Sequence, residues 1–317
     1  MTLDPALFRP EAIDPETAAF VTELEQMLAA FPSIHTQTAA EVRAARAEGR
    51  GWRGSIVYSD RAKERTIPGP AGEMTLRTFV PRRVEGAYLH FHAGGWTLGS
   101  AREQDPRLEA LADACNVAVL SVEYRLAPEQ PYPAGPDDCE AAALWLAKNA
   151  RSEFGTERLV IGGESGGAHL AVVTLLRLRD HYGLRPFAAA DLCCGAYDLR
   201  GTPSVRNWGE RNLILSTPAM NWFFGNFVPP EKRDDPDVSP LLADLSGLPP
   251  ALFTVGTLDV LLDDSLFMHA RWLAAGNDSE LAVYPGGLHM VHTYANALGR
   301  RASERQHAFV RAAIAAA

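Results

Sequence analysis

The chain has 317 residues, 47% of them hydrophobic, which is enough to bury a large core and fits one large domain better than two. Its formal net charge of −9, without a basic stripe, argues against nucleic-acid binding. No apolar run approaches the length of a membrane span, and the first residues do not read as a signal peptide. The cysteines lack metal-type spacing, so we expect no metal or other cofactor, and buried thiols in a cytoplasmic protein: Cys115, Cys139, Cys193 and Cys194.

The N-terminal segment is predicted to be helical. Asp14 can cap a first helix that starts at Pro15. Thr38 and Glu41 form a capping box for a second helix. The apolar face of the first helix comprises Phe20, Val21, Leu24, Met27 and Leu28.

The middle of the chain alternates between apolar runs rich in β-forming residues and helical stretches. The predicted strands are 75–80, 86–92, 117–124, 159–162, 188–196, 251–255 and 281–284. The predicted helices are 101–115, 137–149, 168–181 and 262–275. This alternation indicates a mostly parallel sheet covered on both faces, with an antiparallel start because no helix separates the first runs. An α/β-hydrolase fold fits better than a nucleotide-binding fold, since no G-x-G-x-x-G follows the first strand.

A second segment outside the alternation, residues 200–235, is rich in aromatic residues. Neither it nor residues 1–51 has a strand to pair with the sheet. We expect the two segments to form a helical cap over the carboxyl edge of the strands, where ligands bind in such sheets. Residues 52–199 and 236–317 would then form the catalytic domain, and the alternative for both segments is ordinary peripheral packing.

A candidate nucleophile lies in the pentapeptide Gly163-Glu164-Ser165-Gly166-Gly167, directly behind the apolar run at 158–161. The pattern G-x-S-x-G between a strand and a helix is typical of a nucleophile elbow, where Ser165 stands at the apex of a sharp turn. The flanking glycines avoid collisions with the neighbouring strand and helix. We assign Glu164 no catalytic role and expect it to hydrogen-bond within the elbow.

An acid and a histidine follow Ser165 in the order expected for this fold. Asp259 comes after the predicted strand at 251–255, and His289 comes after the strand at 281–284. Both therefore project onto the same sheet edge as Ser165, where a histidine can accept the serine proton and a carboxylate can orient it. Asp263 remains a rival acid and His292 a rival base.

The oxyanion formed in acyl transfer requires backbone N–H donors that are fixed before the reaction. Gly166, directly after the nucleophile, can supply one. The loop His92-Ala93-Gly94-Gly95-Trp96 after the strand at 86–92 can supply others, because glycines let the backbone approach a substrate closely. We expect His92 to brace this loop by hydrogen bonds and not to transfer protons.

Three further motifs carry a specific resemblance. The run His92-Ala93-Gly94-Gly95 resembles an H-G-G-G motif, residues 124–129 read Y-R-L-A-P-E, and residues 237–241 match D-x-x-S-P-L. Around a nucleophile elbow, these motifs identify the chain as similar to the hormone-sensitive lipase family of bacterial esterases. Within the second motif, we expect Arg125 and Glu129 to form an ion pair that stiffens the turn beneath the site.

The resemblance implies Ser165 as nucleophile, Asp259 as orienting acid and His289 as base. It also implies Gly94, Gly95 and Gly166 as oxyanion donors. Two departures are Ala93, where the family has glycine, and Met290-Val291 after the histidine, which keeps His292 open as the base. Relatives in the family are often dimers, so a homodimer is expected.

These observations predict a serine carboxylesterase acting on small-molecule esters with short to medium acyl chains or aryl groups. The alternatives are an amidase such as an arylformamidase, an acyltransferase on the same triad, or a non-catalytic ligand receptor. Four aromatic residues are predicted to line the substrate pocket, the alternative being that they pack the interior of the cap: Trp96, Trp208, Phe223 and Phe224.

Overall fold

The computed structural model describes residues 3–317, in which eight strands form one sheet. The strands are β1 Lys63–Gly69, β2 Gly72–Phe79, β3 Gly86–Phe91, β4 Val117–Val122, β5 Leu159–Glu164, β6 Phe187–Cys193, β7 Ala251–Gly256 and β8 Ser279–Tyr284. Their order across the sheet is β1-β2-β4-β3-β5-β6-β7-β8. The pairs β1–β2 and β2–β4 are antiparallel and all others are parallel, so the predicted mostly parallel sheet with an antiparallel start is confirmed.

The helices pack on both faces of the sheet and over its carboxyl edge. They are α1 Pro15–Leu28, α2 Ala39–Ala47, α3 Asp105–Cys115, α4 Ala134–Phe154, α5 Gly166–Tyr182, α6 Pro203–Asn207, α7 Thr217–Phe227, α8 Leu262–Ala274 and α9 Ala297–Ala316. Every residue of β3, β4 and β5 is buried, because helices cover these central strands on both sides. The core therefore holds the strand ends in fixed positions.

The two N-terminal helices begin where the sequence predicts. Asp14 Oδ1 accepts a hydrogen bond of 2.9 Å from the Thr17 N–H, and Thr38 and Glu41 form the capping box of α2. Val21, Leu24 and Leu28 are buried, but Met27 is 48% exposed. Met27 thus belongs to the apolar face in sequence but lies outside the packed stripe of α1, which is narrower than the apolar pattern suggests.

Two elements of the structure were missing from the sequence prediction. Strand β1 has a single buried residue, Ile67, and contains Pro68, so it lacks the alternating pattern of a half-buried strand. It is tolerated at the sheet edge, where it pairs only with β2. Helix α9 buries Leu298, Ala302 and Val310 against the sheet and α3.

Candidate active site

The turn that carries Ser165 is strained, as a nucleophile elbow requires. Strand β5 ends at Glu164, and helix α5 begins at Gly166. Ser165 between them has φ 56° and ψ −121°, a backbone conformation that residues other than glycine rarely adopt. Its N–H donates to the Cys193 carbonyl on β6 at 2.9 Å, which fixes the turn to the sheet.

The glycines around Ser165 are required by close packing against β3. A Cβ on Gly163 or on Gly167 would collide with the carbonyl oxygen of Phe91, the last residue of β3. The turn therefore sits directly on the neighbouring strand, and Ser165 points away from it at the N-terminus of α5. That helix end carries partial positive charge where negative charge would develop during acyl transfer.

Asp259 and His289 meet at the same edge of the sheet. His289 Nδ1 lies 2.9 Å from Asp259 Oδ2 and 3.1 Å from Oδ1, and both side chains are buried. The Leu261 N–H donates to Asp259 Oδ1 at 2.9 Å, which orients the carboxylate. The Tyr294 hydroxyl donates to the His289 carbonyl at 3.1 Å and holds the histidine loop.

The carboxylate changes the basicity of the imidazole. Burial alone would lower the pKa of His289, but the negative charge of Asp259 and the hydrogen bond to it raise that pKa above its ordinary value. The Cys194 thiol also contacts this pair. Donor atoms of Cys194, Asp259 and His289 lie within 4.8 Å of one another, a set that could ligate a thiophilic metal, although the histidine and the carboxylate already bind each other.

The rival acid Asp263 and its neighbour Asp264 are both engaged elsewhere. Asp263 Oδ2 accepts from the Ser204 N–H at 2.7 Å. Asp264 is fully buried and accepts from the N–H groups of Tyr197 and Asp198 at 2.7 and 3.1 Å. Burial raises the pKa of Asp264 to about 7. Both carboxylates lie in the first turn of α8 and bind the segment after β6.

The rival base also lies apart from Asp259. His292 Nδ1 is 3.2 Å from Cys193 Sγ, and His292 Nε2 is 3.6 Å from Glu164 Oε1. The side chain is buried behind the elbow, and burial lowers the pKa of His292. The orienting carboxylate expected of a catalytic histidine is therefore found at His289.

The prediction that Glu164 hydrogen-bonds within the elbow is wrong, because its partners lie outside the elbow. Its buried carboxylate accepts from Arg107 of α3 and from Gln104 Nε2 at 3.0 Å, and it lies 3.1 Å from His90 Nε2 of β3. Burial alone would raise the pKa of Glu164, but the charge of Arg107 holds it well below its usual range. Glu164 thus ties the base of the elbow to α3 and β3.

The glycine loop after β3 lies against the start of α5. Gly94 and Gly95 have φ values of 134° and 55°, which favour glycine. A Cβ on Gly166 would lie 3.1 Å from both Gly95 Cα and Trp96 N, so the two backbones are in close approach. Within residues 3–317, the N–H groups of Gly94, Gly95 and Gly166 donate to no backbone or side-chain acceptor.

His92 and Tyr124 brace this loop from below. The His92 ring stacks on Tyr124 with 4.1 Å between ring centroids, and His92 Nδ1 lies 2.9 Å from the Ala93 carbonyl oxygen. The Tyr124 hydroxyl donates to the His92 carbonyl at 2.7 Å. These contacts agree with the bracing role expected for His92.

The predicted ion pair between Arg125 and Glu129 is wrong. Arg125 instead binds Asp138 of α4, with Nε 2.9 Å from Oδ2. Glu129 Oε2 accepts from Arg43 of α2 at 2.8 Å. Each residue found its partner in another element, which no local pattern could reveal.

A cavity of about 560 Å³ opens above Ser165. Its lining includes Ser165, His289 and the three candidate oxyanion glycines, Gly94, Gly95 and Gly166. Residues 28–57 and 212–223 contribute much of the remaining wall. The candidate catalytic groups and the predicted cap segments thus face one space.

The four aromatic residues predicted for the pocket divide into two groups. Trp96 and Phe223 line the cavity, although Trp96 is 2% exposed and donates from Nε1 to His169 Nδ1 at 3.0 Å. Phe224 lies behind Trp96, and Trp208 packs on the cluster around α1 while donating to the Arg211 carbonyl. For these two, the alternative of cap packing fits.

Three of the lining residues were not predicted from the sequence, and together with Phe223 they follow a helical period: Ser216, Ala219 and Met220. Ser216, Ala219, Met220 and Phe223 lie at positions i, i+3, i+4 and i+7 and line the cavity together. Such spacing indicates one face of a helix. Phe227 lies at i+4 from Phe223 and so shares this period, yet it stacks on Trp96 with 4.5 Å between ring centroids. Periodicity within α7 therefore separates lining from packing only in part.

The match to a family model agrees with this architecture. A family model described as alpha/beta hydrolase fold matches residues 88–293, which are more than half of the chain. The chain belongs to the hormone-sensitive lipase family of α/β hydrolases. The predicted fold class and the resemblance are thereby confirmed.

Several named relatives are esterases. The chain is 33% identical over 314 residues to carboxylesterase NlhH of Mycobacterium tuberculosis (strain ATCC 25618 / H37Rv), covering 92% of each chain. It is 35% identical over 233 residues, 70% of this chain, to carboxylic ester hydrolase LipN of the same organism and spans 62% of that relative. The hyperthermophilic esterase of Pyrobaculum calidifontis has 28% identity and a TM-score of 0.84, covering 95% of this chain and 98% of the esterase.

None of the helices within residues 3–317 has both the length and the hydrophobicity that crossing a bilayer demands. The four cysteines in this part of the chain are buried and free, as expected.

Proposed function

We propose that this protein is a serine carboxylesterase that hydrolyses short- to medium-chain or aryl esters through an acyl-enzyme on Ser165. The observation that carries the proposal is the Asp259–His289 pair. It faces the same cavity as a strained serine and three backbone N–H groups that have no acceptor within residues 3–317. As a class, the enzyme is a carboxylic ester hydrolase. A relative that aligns with 92% of the chain is named carboxylesterase, and another that aligns with 76% of it is named acetyl-hydrolase.

In the proposed first step, His289 accepts the Ser165 proton as the serine oxygen attacks the ester carbonyl carbon. The N–H groups of Gly94, Gly95 and Gly166 donate to the oxyanion, and the alcohol leaves with the proton from His289. Water then attacks the acyl-enzyme by the same route and releases the carboxylic acid. Asp259 stays ionised and stabilises the imidazolium in both steps.

The proposal includes a helical cap made of residues 1–51 and 200–235 over a catalytic domain of 52–199 and 236–317. Residues 1 and 2 lie outside the described residues. Contacts between the two segments support the cap: Trp222 Nε1 donates to the Gln37 carbonyl at 3.1 Å, and Arg211 binds Glu25 at 2.8 Å. Both segments line the cavity, so the cap would select the ester.

The acyl group is expected to be limited by the face of α7. Met220 and Phe223 give the cavity an apolar wall, and a volume of about 560 Å³ lies in the range of small-ligand sites. Acyl chains of short to medium length would bury their methylene groups there, each contributing roughly 0.8 kcal/mol. A homodimer and a cytoplasmic location stay predictions of the sequence.

Turnover of p-nitrophenyl esters from acetate to laurate tests this proposal. We expect kcat/KM to peak between acetate and octanoate and to fall for longer chains. Phe223→Ala should move the peak to longer chains, because it removes part of the apolar wall. A folded Ser165→Ala variant with near wild-type turnover would contradict the proposed nucleophile.

A comparison of matched ester and anilide substrates separates the esterase from an amidase. Faster turnover of the anilide would favour the amidase alternative. Partitioning of the acyl-enzyme between water and added alcohol separates hydrolysis from acyl transfer, since the two reactions differ only in the second nucleophile.

A further inference from the structure

One part of the cavity wall is charged. It is formed partly by the irregular segment between α2 and β1, residues 48–62, which contains neither helix nor strand. The charged side chains that line the cavity are three arginines and one glutamate: Arg46, Arg50, Arg53 and Glu103. A positive wall is unexpected in a chain whose net charge is −9.

Two of the three arginines are neutralised by neighbouring carboxylates. Arg46 forms an ion pair with Glu103, and both side chains are largely buried. Arg50 Nε lies 2.5 Å from Glu48 Oε2, in an exposed pair. These two guanidinium groups therefore have partners within the protein.

Arg53 differs because no carboxylate within residues 3–317 lies at ion-pairing distance from it. Its Cζ lies 4.8 Å from the ring centroid of Trp52, and its Nη2 lies 3.8 Å from Met290 Sδ. An aromatic face and a thioether sulfur are weak partners that leave guanidinium N–H donors unused. The group is held at the cavity wall, and no carboxylate in the described part of the chain compensates its charge.

The position of Arg53 relates it to one part of the substrate. Met290, which it contacts, directly follows His289. His289 must protonate the leaving oxygen in the proposed reaction, so the alcohol portion of the ester lies on the His289 side of the cavity. Arg53 therefore borders the space that the leaving group would occupy.

We propose that Arg53 binds a carboxylate carried by the alcohol portion of the ester, so that the enzyme prefers esters of hydroxy acids. This inference rests on the proposed function. A guanidinium group matches the two oxygens of a carboxylate, and Trp52 beneath it limits its motion. Hydrolysis would then release two products, the carboxylic acid from the acyl side and a hydroxy acid from the alcohol side. The carboxylate of the hydroxy acid would dissociate from Arg53.

The test compares two esters that differ in charge but hardly in shape, 4-acetoxybenzoate and 4-acetoxybenzamide. The ratio of their kcat/KM values cancels changes that affect both esters equally. In Arg53→Gln, we expect this ratio to fall about tenfold, the size of one charge-assisted hydrogen bond. Arg53→Lys should retain part of the preference, because it keeps the charge but not the planar fork.

Arg50→Gln is the matched control, because Arg50 lies in the same segment but is paired with Glu48. It should leave the ratio unchanged. Equal ratios in the wild type, Arg53→Gln and Arg50→Gln would overturn the proposal. A third ester, mono-p-nitrophenyl glutarate, carries its carboxylate on the acyl side, and an equal loss with this ester in Arg53→Gln would overturn the assignment to the alcohol portion.

Failure of this inference can be distinguished from failure of the proposed function. If the wild type hydrolyses neutral p-nitrophenyl acetate and Ser165→Ala does not, the esterase stands whatever the ratio shows. If the wild type hydrolyses neither p-nitrophenyl acetate nor the acetoxy esters, the esterase itself is wrong and the Arg53 site has no reaction to serve.

Discussion

The two sides of the cavity are built in different ways. The catalytic side is formed by loops at the ends of β3, β5, β7 and β8, and Ser165, Asp259 and His289 are all buried there. The opposite side is formed by α7 and the irregular residues 48–62, where Arg53 is exposed. Strand ends are fixed by the core, whereas the other wall depends on side chains from segments distant in sequence. The fold therefore fixes the positions of the catalytic groups more firmly than the positions of the side chains that would contact the substrate.

The strongest test of the catalytic side compares its two buried histidines. His289→Ala removes the group bonded to Asp259, so kcat/KM should fall by about 10³-fold or more. His292→Ala should reduce it far less, because His292 contacts Glu164 and Cys193. Kinetics on p-nitrophenyl acetate measure both effects, and a larger loss in His292→Ala would reverse the assignment of the base.

Asp259→Asn tests the electrostatic link within the pair. Activity requires the neutral imidazole, and Asp259 raises the pKa of His289, so wild-type activity should be lost as pH falls through that raised pKa. The variant should lose about 10³- to 10⁴-fold in kcat, and the acid limb of its kcat/KM profile should move to lower pH. Asp263→Asn serves as the control, and a limb that stays in place after Asp259→Asn would contradict the link.

The elbow depends on the buried charge beneath it. Glu164→Gln leaves the Arg107 guanidinium without its carboxylate partner, which should lower the free energy of unfolding by about 3 kcal/mol. Glu157→Gln is the control, because Glu157 and its partner Arg151 are 70% and 79% exposed. Urea denaturation measures both variants, and equal stability of the two would show that Glu164 does not anchor the elbow.

The smallest expected effect on activity comes from Arg43, which connects α2 of the cap to the backbone behind the glycine loop. Arg43 of α2 donates from Nε to the Thr97 carbonyl at 2.8 Å and from Nη2 to the Ala127 carbonyl at 2.5 Å, just behind the glycine loop. Arg43→Gln should lower kcat about tenfold by loosening the oxyanion donors. Glu129→Gln removes only the exposed ion pair to Arg43, so a comparable loss in that variant would contradict positioning through the carbonyls.

The sequence predicted that Asp259 and His289 lie together at one sheet edge, and it did so for a physical reason. Buried parallel strands give apolar runs, and their carboxyl ends share one edge, so the positions of Asp259 and His289 follow from the order of elements. Strand β1 was missed because its polar residues and Pro68 do not give that pattern. Elements buried on both faces are therefore easier to predict than those at the margin.

The cap side was predicted less well because its contacts are non-local. Arg125 and Glu129 are four residues apart, yet their partners come from α4 and α2. Trp208 and Phe224 were grouped with Phe223 by composition, although only Phe223 faces the cavity. No sequence pattern indicated the proposed role of Arg53, because that role depends on a contact with Met290, which lies 237 positions away.

Covalent labelling of the nucleophile tests the central claim most directly. Diethyl p-nitrophenyl phosphate phosphorylates an activated serine, and peptide mass spectrometry locates the adduct. We expect one diethylphosphoryl group on Ser165 in the wild type, none in Ser165→Ala, and much slower labelling in His289→Ala than in His292→Ala. A label on another residue, or equal labelling rates in the two histidine variants, would contradict the account.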